Sequence, residues 1–421
     1  MTGGQQRPAG TGPGTEKTGS RMAFLDVLRA VAILTVFVKH LPAEVGPFFG
    51  QLFIWGGRGV DLFFVLSGFL IGSTCLERAA AAPEERSLPQ AKAYWLLRSA
   101  RIFPLYFALL AVLAIHPPGF GDDAAFVIRH WPLPFLTFTS NHFGQSSLEL
   151  GVLWSLAIEE QFYLAVGLLI LFCSARRETL ASAFLGLSLA AIAVSLVYRH
   201  DLGVLLAGGI LPQNDYIFRL FHSTLSRMDQ LAVGLLTALM AAPFNRWSLA
   251  KDERWVRAST WSVVTVGLGV LIFFPHWPVV GFLVLGLVFA ACVLWAQRPA
   301  ARTLVPGRIE TVLMAPVLAI GKLSFGLYLF HPITRPWVDR ALTHPLLPPE
   351  SSVRSVLFVL AWVGMSTAIA AVSYRFFEEP LLSAARRKSR QFLQARPAAP
   401  TQDAATAGGG LTATTAETRI P

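Results

Sequence analysis

A chain of 421 residues that is 54% hydrophobic and only 14% charged is not an ordinary soluble protein, in which about a quarter of the residues carry charge. Its formal charge of +10 would point to nucleic acid on a soluble surface. Here the basic residues lie in loops between apolar segments, where they act as topology signals and exclude that reading.

Ten apolar segments follow one another, at about 24–41, 58–76, 101–116, 152–173, 180–198, 226–242, 258–274, 279–296, 312–331 and 353–376. With tilt or local thinning, each suits a bilayer core of about 30 Å. The stretch 124–140 holds Arg129, His130, Pro132 and Pro134 and reads as a loop or interfacial segment. Threading the ten spans with the N-terminus in the cytoplasm collects most basic residues inside, among them Arg78, Arg86, Lys92, Arg98, Arg101, Arg176 and Arg177. Gly/Thr/Pro/Gln-rich residues at the start and Ala/Thr/Gly/Pro-rich residues at the end read as disordered tails. No small-x-small cleavage site follows a short apolar core, so the first span is expected to stay in the mature protein. The expected division is a tail over 1–21, a membrane domain over 22–382 and a basic, then disordered, tail over 383–421. The fold class is all-α: a polytopic transmembrane helix bundle of about ten spans, with both termini cytoplasmic, in a bacterial plasma membrane.

The first span, FLDVLRAVAILTVFVKHL, contains Arg29 and His40. Ionisable side chains inside a span are expensive and usually functional. Eleven residues put the two on nearly the same helix face, about 16 Å apart, so they are expected to flank one long ligand. In GGRGVDLFFVLSGFLIG, Ser67, Gly68 and Gly72 read as small residues that let helices pack closely. No strand-to-helix elbow supports a serine nucleophile there. WLLRSARIFPLYF places Arg98 and Arg101 three apart at the cytoplasmic mouth, a spacing that serves either topology or a phosphate clamp. In LWSLAIEEQFYLAVG, Ser155, Glu159 and Tyr163 recur every four residues as one polar stripe, while Glu160 points about 100° away. Glu159 is therefore the favoured inward carboxylate. Arg227 and Asp229 mark the outer start of a later span; Lys322, Ser324, Tyr328 and His331 lie along the ninth; Glu378 and Glu379 close the tenth. Cys75, Cys173 and Cys292 are widely spaced, without metal-ligand spacing, and read as small buried apolar residues.

The ordered set LDVLRAVAILTVFVKH, GVDLFFVLSGFLI, RSARIFPLYF, LWSLAIEEQFYL, SRMDQLAVG, LSFGLYLFHP and FFEEPLL resembles the membrane acyltransferase-3 family over about 24–382. That resemblance implies ten core spans and transfer of an acyl group, usually acetyl, from acyl-CoA to hydroxyls of sugars or secondary metabolites. It matches Arg29 and His40 to the family's Arg-x10-His pair, and Arg98 and Arg101 to its Arg-x-x-Arg. Trp154, Ser155, Leu156 and Glu159 match its Trp-Ser-Leu-x-x-Glu. The chain is similar to stand-alone members without a fused SGNH-type hydrolase domain, and Phe325 stands where many relatives have tyrosine.

The expected mechanism binds acyl-CoA, acetyl-CoA by default, with no metal. Arg29, Arg98 and Arg101 meet its phosphates. His40 acts as general base or transient acyl carrier, and Glu159 orients its imidazole. Arg227 and His331 line the acceptor side. Expected partners are the bilayer, a hydroxyl-bearing acceptor and a possible separate downstream transferase, but not nucleic acid. The alternative is an acyl relay or a transporter, since buried charges also occur in carriers; no inverted repeat is evident in the chain.

Overall fold

The computed structural model describes residues 13–42, 56–81, 87–115, 122–143, 147–173, 176–244, 278–296, 308–343 and 352–394, with single positions between 261 and 269. Every described element is helical, and no strand occurs among the described residues. The elements are α1 (Pro13–Lys39), α2 (Arg58–Ala81), α3 (Ser87–Ile115), α4 (Asp122–His130), α5 (Leu153–Phe172) and α6 (Arg177–Ala207). There follow α7 (Gln213–His222), α8 (Thr224–Phe244), α9 (Pro278–Ala296), α10 (Arg308–Ala341), α11 (Ser352–Ser373), a π turn (Tyr374–Glu378) and α12 (Glu379–Gln394).

Six described helices are long and apolar enough to cross a membrane: Arg58–Ala81, Ser87–Ile115, Glu149–Phe172, Arg177–Ala207, Met314–Ala341 and Ser352–Gln394. A shorter apolar helix covers Val279–Trp295. The segment expected at 258–274 lies outside the described residues except for a few positions. The stretch 124–140 forms the nine-residue α4, a turn at Leu133–Leu136 and the start of a 3-10 turn at Ser140–His142. Nine helical residues reach about 14 Å, too short to span. Helix α1 begins at Pro13, inside the stretch expected as a tail, and α12 continues helical to Gln394 beyond the expected boundary at 383.

Helix α6 shows why these sequences form a bundle in lipid. Its buried residues, Leu180, Phe184, Ser188, Ala191, Ser195, Arg199 and Leu202, recur every three or four positions on one face. Leu185, Leu189, Val194 and Val197 are exposed on the others. Burial therefore follows small and polar residues as much as apolar ones, which is how helices associate where the solvent is itself hydrocarbon.

Helices α2 and α8 run parallel and touch along glycines. A side chain at Gly68 would strike the carbonyl of Leu231, and one at Gly234 would strike the carbonyl of Val65. Of the small residues expected to allow close packing, Gly68 and Gly72 meet α8, whereas Ser67 turns to α5. Helix α1 lies against α2 on one side and α10 on the other. Helices α3 and α5 close the ring, so that α1, α2, α3, α5 and α10 surround one cavity.

Candidate active site

The cavity has a volume of about 120 Å³ and is walled by Arg29, by α2 from Val60 to Leu70, by Arg98, Arg101 and Ile102, by Ser155, Leu156, Glu159 and Tyr163, and by Ser324, Phe325 and Tyr328. Four residues expected from sequence to carry chemistry, Arg29, Arg98, Arg101 and Glu159, meet there from three helices.

The cationic end is built by α1 and α3. Arg29 Nη1 donates to Asp26 Oδ1 at 2.6 Å, one helical turn back. Arg98 and Arg101 differ: among the described residues no hydrogen bond or ion pair engages either. Each instead rests on an aromatic face, Arg98 at 5.5 Å from the Tyr163 ring centre and Arg101 at 5.5 Å from that of Phe325. The phenylalanine that cannot supply a phenol thus supplies a platform for a guanidinium.

The middle of the cavity is a cluster of three oxygens. Tyr163 Oη donates to Glu159 Oε2 at 2.5 Å, Ser67 Oγ donates to the same oxygen at 3.3 Å, and the Ser67 and Tyr163 hydroxyls are 2.5 Å apart. Tyr94 Oη donates to the Tyr163 carbonyl at 3.2 Å and ties the cluster to α3. Glu160 faces elsewhere, with a buried Oε1 that has no hydrogen-bond partner among the described residues, in keeping with the stripe reading. At the far end Tyr328 Oη donates to the Val152 carbonyl at 2.8 Å and lies 2.6 Å from Ser155 Oγ.

His40 is placed differently from the expectation. Its Nδ1 donates to the Val36 carbonyl at 2.9 Å, and its ring centre lies 4.9 Å from that of His331. Glu159 does not orient it, because the two lie at different depths. Ser155 and Tyr328 meet at one level. Glu159 is one turn toward the cationic end on α5 and His331 three residues the other way on α10, an axial separation of about 10 Å. His331 is wholly buried, its Nδ1 donates to the Leu327 carbonyl at 3.1 Å, and its Nε2 has no hydrogen-bond partner among the described residues. Phe37, His40, Tyr328 and Trp362 box it in. It stands behind Tyr328 and does not wall the cavity.

Arg227, expected on the acceptor side, does not wall the cavity. Its guanidinium pairs with Asp61, donates to Gln230 Oε1 at 3.1 Å and the Phe221 carbonyl at 3.2 Å, and lies 4.2 Å from the Phe282 ring centre. Arg58 reaches the other Asp61 oxygen at 3.5 Å, and Arg199 pairs with Asp229 at 2.7 Å. A carboxylate on a neighbouring helix claims Arg227, which sequence spacing cannot show. Beside this cluster, on α7, burial lowers the pKa of His222 below its usual value against an opposing hydrogen bond to the Phe218 carbonyl, and Arg227 lowers it further. A neutral imidazole there spares the cluster one more cation.

Sequence reasoning assigned no role to Ser67 beyond packing, nor to Tyr328 and Asp26. Among the described residues no group of three or more His, Cys, Asp or Glu could hold a metal ion. Cys75 is buried, Cys173 and Cys292 are partly so, and all three are free thiols.

A cationic end, a carboxylate with two hydroxyls and a separate imidazole pair are groups that acid–base and group-transfer chemistry can use. Comparison with known proteins agrees in class. The family model Acyl_transf_3, described as an acyltransferase domain, matches residues 22–375. The chain is 27% identical over 379 residues to O-acetyltransferase OatA of Staphylococcus aureus (strain NCTC 8325 / PS 47), covering 85% of this chain and 56% of that protein. OatA of strain COL matches to the same extent. A protein of strain MSSA476, SAS0844, is 26% identical over 397 residues, 89% of this chain and 59% of its own length. The chain therefore spans a little under three fifths of the curated relatives it matches. No solved structure matches it. The match across most of its length shows that this chain belongs to the membrane acyltransferase-3 family.

Proposed function

We propose that the protein is an integral-membrane O-acyltransferase, of the O-acetyltransferase kind, that moves an acyl group from cytoplasmic acyl-CoA to a hydroxyl of a sugar, a cell-surface glycan or a secondary metabolite. The observation that carries this reading is the cavity joining Arg98 and Arg101, two guanidinium groups with no carboxylate at ion-pair distance among the described residues, to the Glu159–Tyr163–Ser67 cluster. Planar guanidinium groups without a carboxylate suit phosphate oxygens. The relatives named O-acetyltransferase support the acetyl group as the default.

In this reading the donor's phosphates meet Arg98, Arg101 and Arg29, and the thioester arm enters between α2 and α5. Glu159 accepts hydrogen bonds from Tyr163 and Ser67 beside the path of that arm. His40 receives the acceptor's hydroxyl proton on Nε2, because Nδ1 is committed to the Val36 carbonyl. His331 backs that imidazole from behind, and Arg227 serves the acceptor side by holding the starts of α2 and α8 together. Excluding water from the bundle suppresses hydrolysis of the thioester.

The accompanying topology has ten spans with both termini cytoplasmic in the bacterial plasma membrane, and a 22–382 domain between tails at 1–21 and 383–421. Contacts between helix ends support it. Arg199, near the end of α6, reaches the carbonyls of Ser226 at the start of α8 and Val279 at the start of α9. His40, at the end of α1, meets His331 far along α10. One side of the bundle thus collects alternating ends and starts, as up-and-down threading requires.

Purified protein in liposomes, given radiolabelled acetyl-CoA inside and a hydroxyl acceptor outside, should form labelled product without other proteins. His40→Ala should abolish it while leaving the protein in the membrane. Retained activity in that variant would remove the base role. Label that crosses without modifying the acceptor would favour relay to a separate transferase.

A further inference from the structure

We propose that Ser67 is a transient acyl carrier, its Oγ taking the acyl group from the donor thioester before the acceptor receives it. The inference rests on the acyl-CoA reading above and adds a covalent step to it.

Hydroxyls inside membrane helices ordinarily turn back on their own helix. Thr74 does so to the Leu70 carbonyl, Thr237 to that of Val233 and Thr367 to that of Val363, each at 2.7 Å. Ser67 crosses from α2 to α5 instead, to Glu159 and Tyr163. It does so in the wall of the cavity, beside Arg98 and Arg101. Tyr163 Oη lies 2.5 Å from both Ser67 Oγ and Glu159 Oε2, so it bridges hydroxyl and carboxylate. A nucleophile within hydrogen-bond reach of a base, oriented by a third group, is the arrangement covalent catalysis requires. No strand-to-helix elbow is needed, because α2 and α5 supply the geometry between them.

The step balances. Ser67 Oγ attacks the thioester carbonyl carbon and passes its proton to the Tyr163 oxygen as Tyr163 passes its own to Glu159. The C–S bond breaks, and coenzyme A leaves as thiolate and takes a proton from water at the cytoplasmic mouth. The acceptor hydroxyl then attacks the seryl ester and passes its proton along water to His40, about 10 Å away by helical rise, which returns it to solvent. The ester C–O bond breaks, and Ser67 regains a proton from Glu159 through Tyr163.

Full-length protein in lipid nanodiscs, mixed with radiolabelled acetyl-CoA and no acceptor, is quenched in acid, digested and mapped by mass spectrometry. Acetyl should be found on the peptide carrying Ser67, with one coenzyme A released per label. Ser67→Ala should remove the label and reduce transfer to background. Ser67→Cys should restore the label as a thioester released by neutral hydroxylamine, and Glu159→Gln should slow labelling by at least ~100-fold. Label on Tyr163 or His40, or transfer by Ser67→Ala at the wild-type rate, would overturn the carrier and leave the acyltransferase reading standing. A wild-type protein that neither releases coenzyme A nor modifies any acceptor would overturn both.

Discussion

Between α2, α6 and α8, Arg199 and Arg227 are each tied to an aspartate on a different helix and closed in by the Phe282 ring. Around the cavity, Arg98 and Arg101 rest on Tyr163 and Phe325 with no carboxylate bonded to either among the described residues. The same side chain thus does two kinds of work a few turns apart. An arginine bonded to a carboxylate inside the bundle holds helices in register, whereas one laid on a ring at the cavity is, in the function proposed above, the one that meets the donor. Removing a paired arginine's partner should unfold the protein, and removing a ring-supported arginine should blunt only its use of donor.

The largest effect is expected at Asp61. Asp61→Ala strands Arg227 and Arg58 without their carboxylate, a loss of about 3–5 kcal/mol for a broken buried pair. A thermal melt in detergent should show it, and the double change Asp61→Leu with Arg227→Met should recover much of it. A wild-type melt for Asp61→Ala would end the distinction. Next comes Arg101→Ala, which should weaken acyl-CoA binding about 10- to 100-fold, as for loss of about 1.5–3 kcal/mol in hydrogen bonds to a charged group, with an unchanged melt. Arg98→Lys keeps the charge but loses the planar fork, so titration calorimetry should show a smaller loss than Arg98→Ala. The mildest is salt. Raising ionic strength from 0.15 M to 1 M shortens the screening length from about 8 Å to about 3 Å. Donor affinity should fall several-fold while the melt holds, and equal sensitivity of both would blur the comparison.

Much of this was legible because helical periodicity is local. The Ser155–Glu159–Tyr163 stripe, the different direction of Glu160 and the pairing of Arg98 with Arg101 follow from residue spacing on single helices, and the structure sets the stripe and both arginines on one cavity without Glu160. What spacing cannot reach is which helices meet and at what depth. Ser67 finds Glu159 across 92 residues, and Arg227 finds Asp61 across 166. His40 was matched with Glu159 on the strength of both lying toward one side. About two turns of difference in depth set it beside His331 instead. The apolar segment near 101 is part of a longer helix: α3 starts at Ser87, and Ala91, Ala93 and Tyr94 are buried although that stretch does not read as apolar.

The Asp61–Arg227 pair also bears on how the protein is made. Its two members are 166 residues apart in the chain, which at 5–20 residues per second is an interval of about 8–33 s during synthesis. Throughout it, α2 carries a carboxylate near one end with its final partner not yet translated. Arg58, one turn away on the same helix and 3.5 Å from Asp61 in the finished bundle, is the cation at hand for that interval. A carboxylate that needs a cation across the bundle thus has one built into its own helix before α8 exists.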